Sequence, residues 1–457
     1  MNRPLALLVA ATFFMEFLDG TILATAAPAI ASDFGVAPVD VNAAMTGYLV
    51  ALAAGIPITG WLTDRFGGRR ILMVAIAVFT VASALCAASV NLPMLVAMRV
   101  LQGAGGALMV PVGRLVVLRA TEKRDMLDAV AYLTWPALVA PVLAPTVGGW
   151  LVTVASWHWI FLINLPLGVI AFVVAARIVP TERAEQLPPP DWIGFVLCGG
   201  VLGSLLIGLE LVRPSVVGSG KLLITGIVFV VLVLAAAWWL RRTPHPVLSF
   251  AALRDPSFRV SNVGGSTYRG VISAVPFVLP LMFQVGFGWS PVTAGLLVLL
   301  LFAGNVGIKP ATSPLIRRFG FRTVLIGSLI AGALVLGVIA TLRPTTPVVV
   351  IGVALVLSGA FRSIGFSAYN TLMFADLAPE QMVDANTLSS TLQQVATALG
   401  VAVGALVLRL AGEIPAVTAT PVGPYAVTFA VLAVLLLQPL VEVLRLHRGA
   451  GQAATVR

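Results

Sequence analysis

A soluble chain of 457 residues with a formal charge of +10 would invite a search for a nucleic-acid-binding face. Composition excludes that: 59% of the residues are hydrophobic and 10% are charged, against about 25% charged in a soluble domain. At a mean hydropathy of +1.03, too few charges remain to cover a water-facing surface, so lipid is the expected solvent for most of the molecule.

The first apolar run opens near Leu5 and continues past Ala26, broken by Glu16 and Asp19. A cleaved leader has an apolar core of roughly 7–15 residues, so this run reads as a retained span. Crossing a bilayer takes about 20 apolar residues. By that measure the predicted helices in chain order are roughly 5–31, 42–63, 70–89, 93–117, 127–153, 159–178, 192–212, 222–240, 259–284, 292–312, 323–342, 346–372, 386–410 and 424–444. Two longer polar loops, Pro180–Asp191 with its proline run and Arg241–Phe258, set two spans apart from the rest. The expected fold is an all-α integral membrane protein with 14 transmembrane helices arranged 6+2+6. Residues 1–180 would form an N-terminal six-helix bundle, 181–243 a linker with a two-helix insert, and 244–457 a C-terminal six-helix bundle.

Most of the 28 Lys and Arg residues fall in loops on one side, including Arg65, Arg69, Arg70, Arg119, Arg241, Arg242, Arg317, Arg318 and Arg322. Only Arg213, Lys221, Arg343 and Arg409 fall on the other side. This bias predicts that the basic loops and both termini are cytoplasmic. The tryptophans at 150, 157, 159, 192, 238, 239 and 289 lie near span ends and read as interface anchors. Cys86 and Cys198 lie in apolar runs and are expected to be buried free thiols.

Charges at bilayer depth are the next signal. Glu16 and Asp19 share a face of the first helix. A carboxylate there must pair, face water or take up a proton. Arg99, Arg114, Arg269, Lys309 and Arg362 lie within spans, which makes the central region net positive and suited to an anion. Arg114 and Lys309 could instead snorkel to the inner surface. A permanent ion pair of the acids with Arg99 is the plain structural alternative. Tyr132, Trp135, Asn164, Tyr268, Gln284, Asn305, Phe361, Tyr369, Asn370 and Gln393 complete the candidate substrate-cavity groups. The three histidines are scattered and no phosphate-cradling loop is present, so neither a metal site nor ATP hydrolysis by that route is expected.

The loop after the second span carries Gly60, Asp64, Arg65, Gly67, Arg69 and Arg70. The loop after the tenth repeats basic residues around Phe319-Gly320-Phe321-Arg322. Matching loops at matching positions suggest duplicated halves, as in transporters with a midplane site. The Gly60–Arg70 segment resembles the cytoplasmic signature of the major facilitator superfamily, GxLxDRxGRR, although it would also serve as a positive-inside anchor. Leu18-Asp19-Gly20-Thr21-Ile22 with Ala27-Pro28, the Arg99–Gly106 segment and the Ser156–Asn164 run resemble segments of its fourteen-span drug:proton antiporters. Ala107–Arg114 and the Trp157–Asn164 run look most like the multidrug-resistance exporter D branch. The fifth span reads Ala140-Pro141-Val-Leu-Ala144-Pro145-Thr-Val-Gly148-Gly149, with alanine at two positions where the antiporter motif has glycine.

This resemblance implies a proton-coupled secondary exporter of drugs or other small molecules in a bacterial inner membrane. It would use no cofactor beyond the proton gradient, bind no nucleic acid and act as a monomer. Asp19, with Glu16 and Arg99, would carry the coupling, Asp19 favoured because it lies in the motif. The Gly60–Arg70 loop would stabilise one gate state. Three other readings stay open: export of an anionic metabolite or metal chelate such as citrate or a siderophore, lipid translocation, and a non-transporting scaffold.

Overall fold

The computed structural model describes residues 3–36, 40–122, 125–180, 189–211, 220–447 and 449–451. The side chains of Trp135, Pro141 and Pro145 lie outside the described set, as do residues 181–188 of the expected linker. The described chain is helical throughout. In order come α1 (Arg3–Phe34), α2 (Asn42–Gly55), α3 (Thr59–Phe66), α4 (Gly68–Ala87), α5 (Leu92–Arg119), α6 (Met126–Val154), α7 (Trp159–Leu162), α8 (Asn164–Ile178), α9 (Trp192–Leu211) and α10 (Gly220–Arg242). They are followed by α11 (Pro256–Leu281), α12 (Pro291–Gly307), α13 (Lys309–Thr341), α14 (Val348–Ala375), α15 (Met382–Gly412), α16 (Pro415–Thr418), α17 (Gly423–Leu437) and α18 (Pro439–Arg445). Among the described residues, eleven helical segments are long and apolar enough to cross a membrane, with shorter apolar helices at Trp192–Gly208 and Thr293–Gly307. The 29-residue α6 stands outside that count.

Local sequence explains several boundaries. Asn91, Asp255 and Ser290 each accept a hydrogen bond from the backbone N–H three residues on, and each is followed by a proline in the first turn. That combination satisfies an orphan donor and presets φ for the helix. Pro276 and Pro280 withhold backbone donors near the end of α11, and the chain widens into a π turn at Met282–Gly286 before α12. Between the tenth and eleventh expected spans the backbone leaves the helical conformation at Gly320 (φ 73°, ψ 162°), so α13 is two helices meeting at a kink there.

The chain divides into two compact units. Unit 1 comprises Met1–Thr121, Tyr132–Phe250 and Pro379–Thr391; unit 2 comprises Glu122–Ala131, Ala251–Ala378 and Leu392–Arg457. The α9–α10 hairpin belongs to unit 1. Gly199 and Gly203, one turn apart on α9, bring that helix against Ala54 and Val50 of α2, while Gly200 faces Leu232 of α10. Helix α10 has a single buried residue among those described, Ala236, and turns apolar side chains outward on nearly all sides.

Asp191 holds the hairpin shut. One carboxylate oxygen accepts from Gly194 N and Trp239 Nε1, both at 2.8 Å, and the other from Val247 N at 3.1 Å. It therefore caps α9 and ties down the end of α10 and the segment beyond. Asp191→Ala removes three bonds to a charged acceptor and is expected to destabilise the hairpin locally by about 2 kcal/mol. Hydrogen exchange should quicken in α9 and at 243–250 while α4 and α5 stay protected; unchanged exchange at 243–250 would refute the clamp.

Cys86 and Cys198 are free and buried, as expected. Trp157 is not an interface anchor: it is buried, donates to Asp33 Oδ2 at 3.0 Å and meets Phe34 edge-on, so it fastens the end of α1 to α7.

Candidate functional site

In unit 1, five helices meet at one buried ion pair. Arg99 of α5 and Asp19 of α1, 0% and 1% exposed, bond directly through Nη1 and Oδ2. Gln102 lies one turn from Arg99 on the same helix face. It accepts from Arg99 Nη1 at 2.6 Å and donates to Asp19 Oδ1 at 2.9 Å. Asn164 of α8 donates to the same Asp19 oxygen at 2.8 Å, and Ser83 of α4 accepts from Gln102 at 2.6 Å. The Arg99 guanidinium stacks over the Tyr48 ring of α2, 4.2 Å from its centroid. Asp19 thus has three donors, one of them its charge partner Arg99, while Arg99 Nε and Nη2 lack hydrogen-bond partners.

Glu16 is placed differently. It is 7% exposed, and its Oε2 has no hydrogen-bond partner; nor has the Tyr48 hydroxyl. Both groups flank Gly106 of α5: a Cβ there would lie 3.5 Å from the Glu16 carboxyl carbon and 3.4 Å from Tyr48 Oη. The two acids share a helix, yet only Asp19 meets Arg99. Leaving a carboxylate buried and unpaired costs several kcal/mol, a cost that protonation or a bound donor removes.

The Gly60–Arg70 segment folds as nearly all of α3, a sharp turn and the start of α4. Gly67 adopts φ 84° between the two helices, a conformation that favours glycine. Asp64 accepts from Arg119 of α5 at 3.0 Å, Arg69 donates to the Ala176 carbonyl at the end of α8, and Arg65 and Arg70 are exposed. Gly60 is buried against Thr387 and Val383 at the start of α15. Gly148 of α6 packs on Ile22 and Thr25 of α1, and Gly149 also lies near Thr25.

Unit 2 repeats this framework with altered charges. Setting Gly67 against Gly320 sets Phe66 against Phe319 and Arg69 against Arg322, and the backbone at Gly320 takes the same unusual conformation. Arg322 donates to the Leu444 carbonyl of α18 at 2.8 Å, the counterpart of Arg69 on Ala176. Asp64 is matched by Arg317, which pairs with Asp128 at 3.0 Å.

Six of the predicted cavity residues gather on α11 and α14. Tyr268 Oη donates to the Arg362 carbonyl at 2.6 Å, and the Tyr268 and Tyr369 rings lie 5.2 Å apart. Arg269, 3% exposed, donates to the Ser261 carbonyl at 3.1 Å and to Asn370 Oδ1 at 3.3 Å. Arg362 Nε and Nη1 are buried without a partner. The Phe302 ring is centred 5.9 Å from its guanidinium carbon; such a contact contributes about 1 kcal/mol, far less than an unpaired buried charge costs. Phe361 lines a cavity with Arg362, and both amide atoms of the buried Asn305 on α12 lack partners. Other predicted groups fall elsewhere. Gln284 is half-buried in the π turn and Tyr132 half-buried on α6. Lys309 donates to Ser367 at 2.7 Å. Arg114 lies about 22 Å along α5 from Arg99, with Nη1 buried and unpartnered.

Ser83 and Tyr48 were not among the predicted site residues. Their signal was a polar group in the middle of an apolar run, which does not say what it faces.

The profile of the Major Facilitator Superfamily matches residues 9–401 and 262–448. The chain belongs to the Major Facilitator Superfamily. It is a multi-pass membrane transporter, not an enzyme. It is 34% identical over 406 residues to the "Putative multidrug resistance protein MdtD" of Enterobacter sp. (strain 638), covering 89% of this chain and 86% of the relative. It is 35% identical over 412 residues to the "Probable transport protein HsrA" of Haemophilus influenzae, covering 89% and 88%. The fold resembles the crystal structure of the human organic anion transporter MFSD10 (TETRAN), with a TM-score of 0.70 at 15% identity over 96% of this chain and 99% of that one. The major facilitator fold thus holds across almost the whole chain.

Proposed function

We propose that this major facilitator is a proton-coupled exporter of drugs or similar small molecules. Glu16 carries the transported proton, and the Asp19–Arg99 pair is the element that its charge biases. One observation carries the reading: two acids on one helix face, one fully bonded to Arg99 and the other buried with an unmet oxygen. A charge arriving at or leaving Glu16 changes the field on a neighbouring pair that has no solvent to screen it. The similarity to MdtD supports the choice of cargo.

In this reading the chain crosses the bacterial inner membrane fourteen times with both termini in the cytoplasm. The eleven long apolar helices support a crossing count of this order, and this reading takes the two shorter ones and α6 as the remaining three spans. Residues 1–180 and 244–457 form the six-helix halves, with α9 and α10 inserted between them. Asp64 and Arg119, with Gly60 seated on α15, hold one gate state.

The test is efflux from proteoliposomes under an imposed pH gradient, with a panel of cations, zwitterions and anions. Uphill export of at least one cargo that collapses with a protonophore is the expected result; export indifferent to the gradient would end the coupling assignment. A second reading, export of an anionic metabolite or chelate, is favoured by Arg362, whose buried Nε and Nη1 lack hydrogen-bond partners among the described residues. The same panel decides between them.

A further inference from the structure

Gly106 leaves a notch in α5 that two unbonded polar groups share. A Cβ built there would lie 3.4 Å from Tyr48 Oη and 3.5 Å from the Glu16 carboxyl carbon, with Leu52 Cδ1 as its third neighbour at 3.5 Å. Tyr48 Oη and Glu16 Oε2 are both shielded and make no hydrogen bond. The first is a donor, and the second becomes a pure acceptor once the carboxyl is charged.

The surroundings offer Glu16 few other partners. The described ionisable groups about it are Asp19 on its own helix, Arg99 on α5, Tyr48 on α2 and, beyond the ion pair, the Cys86 thiol of α4; α8 contributes the neutral Asn164. Asp19 is an acceptor already met by three donors. Arg99 is engaged with Asp19 and Gln102 through Nη1, and it springs from α5 two turns before Gly106, about 10 Å along the axis. Its guanidinium lies over the Tyr48 ring, so the ion pair itself holds the ring that carries the hydroxyl.

Unit 2 does not repeat this arrangement. Helices α5 and α14 each span 28 residues, and laid end to end they set Gly103 on Gly359 and Gly106 on Arg362. A Cβ at Gly103 would strike the Tyr48 carbonyl of α2, and one at Gly359 the Leu301 carbonyl of α12, so Tyr48 is matched by Leu301. The hydroxyl and the notch both belong to the half that carries Glu16 and Asp19.

We propose that Tyr48 is a positioning residue for Glu16: its hydroxyl donates a hydrogen bond to the Glu16 carboxylate, across the Gly106 notch, whenever Glu16 has given up its proton. The two groups must close on one another for this, and the Glu16 side chain, unbonded at Oε2, is the one free to turn. The inference rests on the reading of Glu16 as the proton carrier and names the group that receives its charge.

The experiment is an infrared pH titration of the full-length protein in lipid. The protonated-carboxyl band that is missing from Glu16→Gln belongs to Glu16, and its decay with rising pH gives the midpoint of proton loss. Tyr48→Phe keeps the ring over Arg99 and removes only the donor. A hydrogen bond to the charged form favours that form, so the midpoint is expected about one pH unit higher in Tyr48→Phe than in wild type. Gly106→Ala places a methyl at ordinary contact distance between hydroxyl and carboxyl and should raise the midpoint comparably. The double variant should go no higher than Tyr48→Phe alone, because the methyl then has no bond to block. An unchanged midpoint in Tyr48→Phe overturns the proposal and passes the donor's role to Arg99 Nε or Nη2; additive shifts in the double variant overturn it as well. Should Gly106→Ala fail to fold, Tyr48→Phe decides alone. Absence of any titrating Glu16 band would remove the proton-carrier reading together with this one. An unmoved midpoint leaves Glu16 as the carrier, and loss of coupling in proteoliposomes leaves a midpoint set by Tyr48 standing.

Discussion

Glu16→Gln is expected to leave the protein as stable as wild type while reducing uphill, proton-driven export to background. Glutamine keeps the shape of the side chain, and the Oε2 it replaces makes no hydrogen bond in the fold. Asp19→Asn should behave in the opposite order. It leaves Arg99 charged at 0% exposure without a counter-charge, and breaking a buried pair from one side costs about 3–5 kcal/mol. Its melting temperature should fall well below that of Glu16→Gln. Arg99→Gln combined with Asp19→Asn should recover part of the loss, because no charge is then stranded. Thermal melts of the three variants, beside efflux driven by a pH gradient, read out both halves of the comparison. Full uphill export by Glu16→Gln would remove that residue from the coupling scheme. Equal melting temperatures for Asp19→Asn and wild type would mean that the pair does not hold α1 to α5.

The sequence revealed the solvent before it revealed the site. Apolar runs of bilayer length and basic loops on one side follow directly from the cost of placing charge in hydrocarbon, so most helices could be located from composition alone. The Phe-Gly turn was legible twice, because few other residues tolerate the conformation seen at Gly67 and Gly320. The contact of α1 with α5 through Arg99 was foreseen as the plain alternative to proton coupling. Which of the two acids Arg99 would choose was not. Glu16 and Asp19 differ by three positions on a helix, and only the rotation of α1 against α5 decides which meets Arg99 and which meets Gly106. Helix rotation is set by packing between apolar surfaces, for which hydropathy carries no register. The same limit concealed Ser83 and Tyr48. Asp191 was passed over because it closes a proline-rich loop; its role depends on Trp239 and Val247, brought back by the hairpin.

The glycines that fix this register give the second large effect. With no apolar drive between helices in lipid, close approach at small residues supplies much of the packing. At Gly103 and Gly359 a Cβ would overlap backbone atoms of the facing helix, the Tyr48 and Leu301 carbonyls, and backbone cannot swing aside as a side chain can. Gly337 on α13, by contrast, has nothing within 4 Å of its Cβ position. Gly103→Leu and Gly359→Leu are each expected to cost about 3 kcal/mol or more, against a few tenths either way for Gly337→Leu. Melting temperature and the monodisperse fraction after detergent extraction measure the difference. The effect should be similar for the first two, because they hold equivalent crossings in duplicated halves: α2 against α5, and α12 against α14. A wild-type melting temperature for Gly359→Leu would place α12 away from α14 at this crossing.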